Sequence, residues 1–269
     1  MKTIFKIAKF CLIFLCGIPL YSCQKDEQVI GDLGKTGFAQ VNVIDAVVTG
    51  GNAKVNVSPK QIYWNSLPNN QEPGGQVLGG FTLGRLFRVP ADRKAVMQVV
   101  AVNDTTRMWY DHTAQLNPGK VYTLYLSGTP ENVKTILHEE TSFPKYIVRD
   151  VAKRTPSADS IVNIRFINLS PSGPKVDVNI QGKSTLEASN LNYQTFTDFK
   201  VYPATKDNES IVFEIRKSSG KELINTYYFN ADYFRFKSVV VFMIGVYDPN
   251  YQLPLEYTDR YRIEAIAYQ

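Results

Sequence analysis

The sequence predicts an all-β fold made of two tandem antiparallel β-sandwich domains of the immunoglobulin-like (Ig-like) kind. Three observations support this. The chain of 269 residues contains 16 Tyr and 15 Phe, a composition typical of pleated, half-buried strands. Short runs of alternating polar and apolar residues are separated by Pro and Gly, as in antiparallel sheets. No long segment shows capped helical periodicity, and the strand pattern occurs twice.

The N-terminal residues have the order of an export signal. Lys2, Lys6 and Lys9 precede an apolar stretch at 10–19. That stretch is shorter than the roughly 20 residues that a membrane-spanning helix needs. A basic segment followed by a short apolar core therefore indicates a cleaved signal peptide, residues 1–22.

The cleavage site indicates lipidation. Leu20-Tyr21-Ser22-Cys23 resembles the bacterial lipobox, in which the thiol is acylated, although Tyr21 departs from the usual small or branched residue. The alternative is ordinary secretory cleavage nearby, which leaves Cys23 as a spare cysteine. The next four residues look like the signal that sends lipoproteins of Bacteroidota-type bacteria to the cell surface: Gln24, Lys25, Asp26 and Glu27. The alternative is a simple charged tether. We expect a lipid-anchored, surface-exposed protein of the outer membrane.

Charge and cysteine usage exclude several functions. Three Lys and no acidic residue precede Cys23, so 27 basic residues face 25 acidic ones in the mature chain, whose net charge is +2. The basic residues are dispersed, and nucleic acid is not an expected partner. Cys11 and Cys16 lie in the signal peptide and Cys23 would carry lipid. The exported body then has no thiol for a disulfide, a thiolate metal site or a Cys nucleophile.

After residue 37 the chain reads as two copies of one unit. Four blocks recur in the same order: 39–45 and 162–168, 54–57 and 175–178, Val89-Pro90-Ala91 and Tyr202-Pro203-Ala204, and 120–128 and 237–245. Alternation alone is common to all β proteins. Matched Pro, Lys and Gly positions make duplication the better explanation.

The repeat predicts the domain organisation. Sandwich repeats at 38–141 and 160–269 follow the lipidated Cys and tether at 23–37 and are joined by a linker at 142–159. Each repeat has about a hundred residues, the size of a small sandwich domain. Strand alternation places one set of side chains inward in each repeat, with the other face in water. The inward residues are Val41, Val43, Val55 and Val57 in the first repeat, and Ile164, Phe166, Val176 and Val178 in the second.

The second repeat opens with Ile164-Arg165-Phe166-Ile167-Asn168-Leu169-Ser170-Pro171, followed by Val176-Asp177-Val178. This segment resembles the opening of a bacterial extracytoplasmic family known as domain of unknown function 4397. In the first repeat Asp45-Ala46-Val47-Val48 replaces the Asn-Leu-Ser-Pro step. The resemblance implies a β-sandwich on the cell surface, and it brings no catalytic residues and no ligand.

Residues that carry chemistry are few. Asp111-His112 has no Gly-x-Ser-x-Gly elbow to accompany it, so His112 is predicted as a loop or strand-edge histidine. His138 lacks the second His of a zincin helix. Glu139 and Glu140 alternate to opposite faces of a strand and cannot flank one glycosidic bond together. We assign no catalytic residue, no metal ligand and no cofactor.

Two loops hold aromatic residues suited to ligand contact. Tyr63 and Trp64 stand in the polar insertion 59–80, and Tyr247 and Tyr251 in the loop 247–254. Exposed rings there would stack on a sugar or a protein partner, whereas the alternative makes Trp64 a plug of the sandwich end and has the tyrosines seal a hairpin.

These features predict a non-catalytic binding or structural module on the cell surface. Its partners would be the outer membrane, reached through the lipid, and a glycan or another surface protein. Glycan binding is the sharpest form of this prediction. The alternatives are a fimbrial or adhesion component, or a glycoside hydrolase or peptidase whose carboxylates are brought together by folding.

Overall fold

The structure is a computed structural model that describes residues 37–48, 53–58, 64, 77–78, 81–82, 85–141, 160–250 and 259–268. These residues form an all-β sandwich fold, as the sequence predicts. The first half contains β1 (Phe38–Val47), β2 (Ala53–Ser58), β3 (Val77–Leu78), β4 (Phe81–Thr82), β5 (Arg85–Pro90), β6 (Ala95–Ala101), β7 (Met108–Ala114), β8 (Val121–Thr129) and β9 (Asn132–Glu139).

The second half repeats this order, and the described residues of each half form nine strands. It contains β10 (Ile161–Asn168), β11 (Val176–Ile180), β12 (Leu186–Leu191), β13 (Thr195–Phe196), β14 (Lys200–Pro203), β15 (Ser210–Lys217), β16 (Leu223–Asn230), β17 (Ser238–Ile244) and β18 (Arg262–Ala267). One turn of 3-10 helix, Lys206–Asn208, precedes β15.

The strands form four main sheets, and β3 and β4 form a separate two-stranded hairpin. In the first half, β2-β6-β7 is the outer sheet and β5-β1-β8-β9 the inner sheet. In the second half, β13-β10-β17-β18 is the inner sheet, with β14 also paired to β10, and β12-β11-β15-β16 is the outer sheet.

Three apolar clusters fix the order of these layers. One lies between the two sheets of the first half and includes Val41, Val99 and Leu124. A second lies between the two sheets of the second half and includes Phe166 and Phe213. The third joins the two inner sheets through side chains of β1, β8, β10 and β17: Ile44, Ala46, Tyr125, Ile167, Leu169, Val240, Phe242 and Ile244. The four sheets are therefore stacked face to face, with the inner sheets in the middle.

The inward sets that alternation predicts are confirmed. Val41, Val43 and Val55 are buried in the first cluster, with Val57 half-buried against it. Ile164, Phe166, Val176 and Val178 are buried in the second. The expectation that the opposite face meets water is wrong for the inner sheets, because each covers the other.

One strand pair in each half departs from antiparallel order. β1 runs parallel to β8, with Gln40 opposite Val121, and β10 runs parallel to β17, with Asn163 opposite Ser238. The sequence repeat aligns Gln40 with Asn163 and Val121 with Ser238, so the two halves share one register. Pro90 and Pro203 also take the same place, opposite the first residue of β1 and of β10.

A glycine lies at the end of each parallel strand pair, at equivalent positions of the sequence repeat. Gly128 at the end of β8 and Gly245 just after β17 both have positive φ, +98° and +82°. A Cβ at either position would collide with a backbone carbonyl, that of Asn132 or of Arg260. Only Gly fits such a conformation at so close an approach.

A buried ion pair joins the two halves. Arg165 on β10 donates from Nη1 to Oε2 of Glu140, which follows β9, at 2.7 Å. The other carboxylate oxygen accepts from the Thr123 hydroxyl at 2.7 Å and from the Tyr268 hydroxyl at 3.1 Å. The guanidinium also lies over the ring of Phe199, 4.3 Å from its centroid. The hydrogen bonds and the ring contact offset the desolvation cost of burying this charged pair.

Several sequence predictions lie outside the described residues. These are the signal peptide, Cys23, the segment from Gln24 to Glu27, the rest of the tether up to residue 36 and the whole of the linker. Within the described residues, no helix is long and apolar enough to cross a bilayer.

Candidate functional site

The outer face of the second half's outer sheet is the candidate site, and we call it the β11–β16 face. Asp177 and Asn179 on β11 alternate with core residues and point away from the sandwich interior. On β15, Glu214 and Arg216 alternate with Phe213 and Ile215 in the same way. Strand pairing then sets Asn179 beside Glu214, and Glu214 beside Thr226 on β16.

A row of polar groups crosses the centre of this face. The Asn179 amide donates to Oε2 of Glu214 at 2.9 Å, and the Arg216 guanidinium donates to the same oxygen at 3.0 Å. These two bonds, first that of Asn179 and then that of Arg216, lower the pKa of Glu214 below its usual value. The carboxylate is therefore charged at neutral pH and is held as a hydrogen-bond acceptor.

Tyr228 supplies an exposed ring next to this row. Its neighbours Tyr227 and Phe229 turn into the second half's core, where burial raises the pKa of Tyr227 to about 12. Tyr228 points the other way, opposite Val212 on β15, and is 73% exposed. A large ring that the fold leaves in water is available for stacking.

At the other end of the face lies Asp177, a carboxylate whose oxygens already accept three hydrogen bonds. Asp177 is buried and accepts from the Asn190 backbone N–H at 2.8 Å, from the Ser218 hydroxyl at 2.7 Å and from the Lys221 ammonium. Burial raises its pKa, but these three hydrogen bonds outweigh burial and the net shift is downward. The side chain links β11 to β12 and to the turn after β15.

The corresponding face of the first half is covered. The Asn56 amide donates to Gln98 at 3.3 Å, and Gln98 donates to Asp111 at 3.2 Å, a polar row across β2, β6 and β7. Gln98 is only 2% exposed and its neighbour Val100 is fully buried, although both alternate with core residues. The centre of the β11–β16 face is also partly enclosed, since Asn179 is 6% exposed and the Glu214 side chain 14%. The exposed aromatic ring of Tyr228 beside the polar row is what distinguishes this face.

The four aromatic residues that the sequence predicts as ligand contacts differ in their exposure and in whether the structure describes them. Trp64 is buried, the position that the plug alternative anticipates. Tyr247 is half-buried, with its ring edge-on to Tyr261 at 5.4 Å and its N–H donated to the Ser172 hydroxyl at 2.8 Å. Tyr63 and Tyr251 lie outside the described residues. Ligand contact by these four residues stays a prediction.

The histidines and paired acids lie where the sequence places them. His112 is exposed on β7, an edge strand. His138 is on β9, with its ring 4.7 Å from that of Phe196. Glu139 contacts Lys120 and Tyr122 on one side of β9, whereas Glu140 enters the seam between the inner sheets. The two carboxylates therefore face opposite ways.

In the part of the chain that the structure describes, no group of three or more His, Cys, Asp or Glu side chains is placed to hold a metal ion.

Sequence reasoning missed Tyr228 and the Glu214 row. A signal exists in the alternation of β16, because Phe229 and Tyr227 share one face and Tyr228 must take the other. The sequence does not show which of these two faces is buried, since both carry aromatic residues.

Comparison with known proteins finds solved structures of low similarity, among them the following three. The family CBM26 module CBMbc of Eubacterium rectale Amy13K, in complex with maltoheptaose, is 9% identical, with a TM-score of 0.25, over 86% of this chain and 97% of the module. A streptococcal virulence factor that binds α-glucan is 9% identical, with a TM-score of 0.23, over 75% and 92%. Streptococcal family 41 carbohydrate-binding modules are 13% identical, with a TM-score of 0.21, over 77% and 93%.

Similarity at this level assigns neither a family nor a ligand to the chain. No protein-family model matches it. No curated protein matches it either.

Proposed function

We propose that this chain is a non-catalytic glycan-binding module and that the β11–β16 face is its binding surface. The observation that carries the proposal is the exposed ring of Tyr228 beside the hydrogen-bonded row of Asn179, Glu214 and Arg216. Sugar rings combine apolar C–H faces with hydroxyl groups. A site for them needs a flat aromatic surface together with fixed donors and acceptors.

The polar row fits hydroxyl recognition. Glu214 is held charged and can accept hydrogen bonds from sugar hydroxyls, while Asn179 and Arg216 hold its orientation in advance. Preorganised polar groups lose little entropy when a ligand binds. The face contains both signs of charge, which favours a neutral sugar chain over a strongly acidic one.

The same face is unsuited to glycoside hydrolysis. A general acid needs a carboxyl group with a raised pKa, which keeps its proton near neutral pH. The pKa values of both Glu214 and Asp177 are lowered. Asp177 also has its oxygens occupied by Asn190, Ser218 and Lys221. The face therefore supports binding rather than catalysis.

Placement on the cell surface is part of the proposal. Acylation of Cys23 would attach the chain to the outer membrane, and the charged segment Gln24 to Glu27 would direct it outward. A polar tether up to residue 37 would hold the sandwich stack clear of the bilayer, with the β11–β16 face accessible to extended sugar chains.

A glycan array with the soluble form that starts at Gln24 tests this function. We expect binding to a set of related neutral glycans, and loss of those signals in Glu214→Gln, which keeps the shape of the side chain and removes its charge. Lys206→Gln, on the 3-10 turn, is the matched control and should bind as the wild type does. An array without reproducible signals, combined with capture of a surface protein in a pull-down, would replace the proposal with protein adhesion.

A further inference from the structure

The free edge of β16 differs from every other long sheet edge of the described residues. β16 reads Leu-Ile-Asn-Thr-Tyr-Tyr-Phe-Asn and has neither charge nor Pro. The other edge strands of four or more residues all carry at least one charged residue: β2 Lys54, β5 Arg85 and Arg88, β7 Asp111, β9 Lys134 and Glu139, β12 Glu187, β14 Lys200 and β18 Arg262 and Glu264. Charges and Pro are the common means by which proteins keep sheet edges from pairing.

The outer edge of β16 is also open. The strand pairs with β15 along one side, from Ser210 opposite Asn230 to Arg216 opposite Leu223. No described residue supplies a strand to its other side. Two of the six exposed large apolar side chains in the described part of the chain, Leu223 and Tyr228, are on this strand. An uncharged, exposed edge of eight residues is a template for a further strand.

We infer that a second copy of this chain adds its own β16 to this edge, in antiparallel register about a two-fold axis. In such a pair each strand faces itself, so a charge near the middle of the strand would come close to its own symmetry copy. β16 has none. The turn before the strand carries Lys221 and Glu222, and the turn after it carries Asp232, Arg235 and Lys237. In an antiparallel pair the turn before one strand lies near the turn after the other, so a neutral turn meets a turn of net charge +1. Antiparallel self-pairing therefore opposes no net like charge.

Pairing would join two four-stranded outer sheets into one sheet of eight strands. A two-fold axis that relates antiparallel neighbours is perpendicular to the sheet, so both copies keep their outer faces on the same side. The two Tyr228 rings would then lie on one continuous surface. The inference goes beyond the proposed function and does not depend on it, because the edge is defined by β16 whether or not the face binds sugar.

Mass measurement tests the inference directly. Sedimentation velocity and light scattering on the soluble form starting at Gln24 should show a concentration-dependent dimer. Thr226→Lys, at the centre of β16, should shift that equilibrium to monomer by at least tenfold in dissociation constant, because two ammonium groups would meet near the axis. Thr113→Lys, exposed on the charged edge strand β7, is the matched control and should dimerise as the wild type does.

Cross-linking keeps the test independent of how well the Lys variant folds. The soluble form has no cysteine, so Thr226→Cys introduces a single thiol. We expect a short bis-maleimide reagent to link two copies of Thr226→Cys and to leave Thr113→Cys unlinked. A chain that stays monomeric at every concentration would overturn the inference. A dimer that persists in Thr226→Lys, or that cross-links through β7, would also overturn it. So would a chain that does not pair with itself and binds a strand of a different protein at this edge.

Discussion

Arg165 and Glu140 form an ion pair across the two halves of the molecule, with Nη1 2.7 Å from Oε2 and side chains that are 1% and 0% exposed. Burial lowers the pKa of the guanidinium, but Glu140 together with Tyr125 and Tyr268 outweighs burial, and the net shift is upward. The rings of Phe196 and Phe199 lie on the guanidinium at 5.0 and 4.3 Å. Both charges therefore depend on the two inner sheets remaining in contact.

The first prediction concerns this pair. Glu140→Gln should lower the free energy of unfolding by roughly 3–5 kcal/mol, because it leaves Arg165 buried without its counter-charge. The double variant Glu140→Leu with Arg165→Met should lose less than the sum of the two single losses. Urea unfolding measures Glu140→Gln, the double variant and its two single components, Glu140→Leu and Arg165→Met. Arg93→Ala breaks an exposed pair with Asp92 and should leave stability unchanged. Additive losses in the double variant would contradict a coupled pair.

A second prediction concerns Asp45. Its Oδ1 accepts the Val47 N–H at 3.0 Å, its buried Oδ2 has no partner among the described residues, and burial raises its pKa to about 7. The matching residue in the second half is Asn168, whose Oδ1 accepts the Ser170 N–H and whose amide donates to two carbonyls.

Asp45 therefore makes stability depend on pH. Because its pKa is higher when folded than when unfolded, its stabilising effect is complete below pH about 4 and is lost as the pH rises through about 7, by up to about 4 kcal/mol. Asp45→Asn should remove this decline and be more stable than the wild type above pH 7. Unfolding curves at a series of pH values measure it. Equal decline in both proteins would show that Asp45 is not the group responsible.

The third prediction separates the two accounts of Trp64. As a buried ring, Trp64→Ala should lower the free energy of unfolding by roughly 3–5 kcal/mol, similar to the loss for Trp109→Ala in the first half's core. Thermal and urea unfolding compare the two variants. A variant that melts like the wild type but loses glycan binding would instead make Trp64 a ligand contact.

The fourth prediction concerns the membrane anchor. Cys23→Ala should release the protein from the membrane fraction, because Cys23 is the acyl acceptor at the proposed cleavage site. Replacing Lys25, Asp26 and Glu27 with Ala should leave lipidation intact and reduce digestion by protease added to whole cells. Incorporation of labelled fatty acid into the Cys23→Ala protein would disprove the anchor.

Alternation predicts the cores of the two halves but not how the halves meet. Side-chain parity along β1 and β10 identifies Val41 and Phe166 as inward without any structure. It also places Asn42 and Arg165 in water, whereas both are buried between the inner sheets. The alternation pattern predicts that the polar residues between the inner sheets face solvent. The apolar run from Val239 to Ile244 indicates that the inner sheets are covered on both sides, since a strand that is apolar on both faces is buried on both.

The candidate site shows the same limit. Which face of β16 is exposed depends on where β15 and the core lie, so Tyr228 could not be distinguished from Tyr227 in the sequence. The loop aromatics carry a local sequence signal, because they stand in polar segments. Strand residues that form a flat face, such as Asn179 and Glu214, carry no such local mark, and their proximity depends on the register between β11 and β15.

The most direct test of the proposed function compares two exposed tyrosines. Tyr228 is 73% exposed on the β11–β16 face, and Tyr233 is 67% exposed in the turn after β16. Calorimetric titration with the best glycan from the array should show at least tenfold weaker binding for Tyr228→Ala, about 1.4 kcal/mol, with unchanged affinity for Tyr233→Ala. Both variants should melt as the wild type does. Undiminished affinity in Tyr228→Ala would contradict glycan binding at this face.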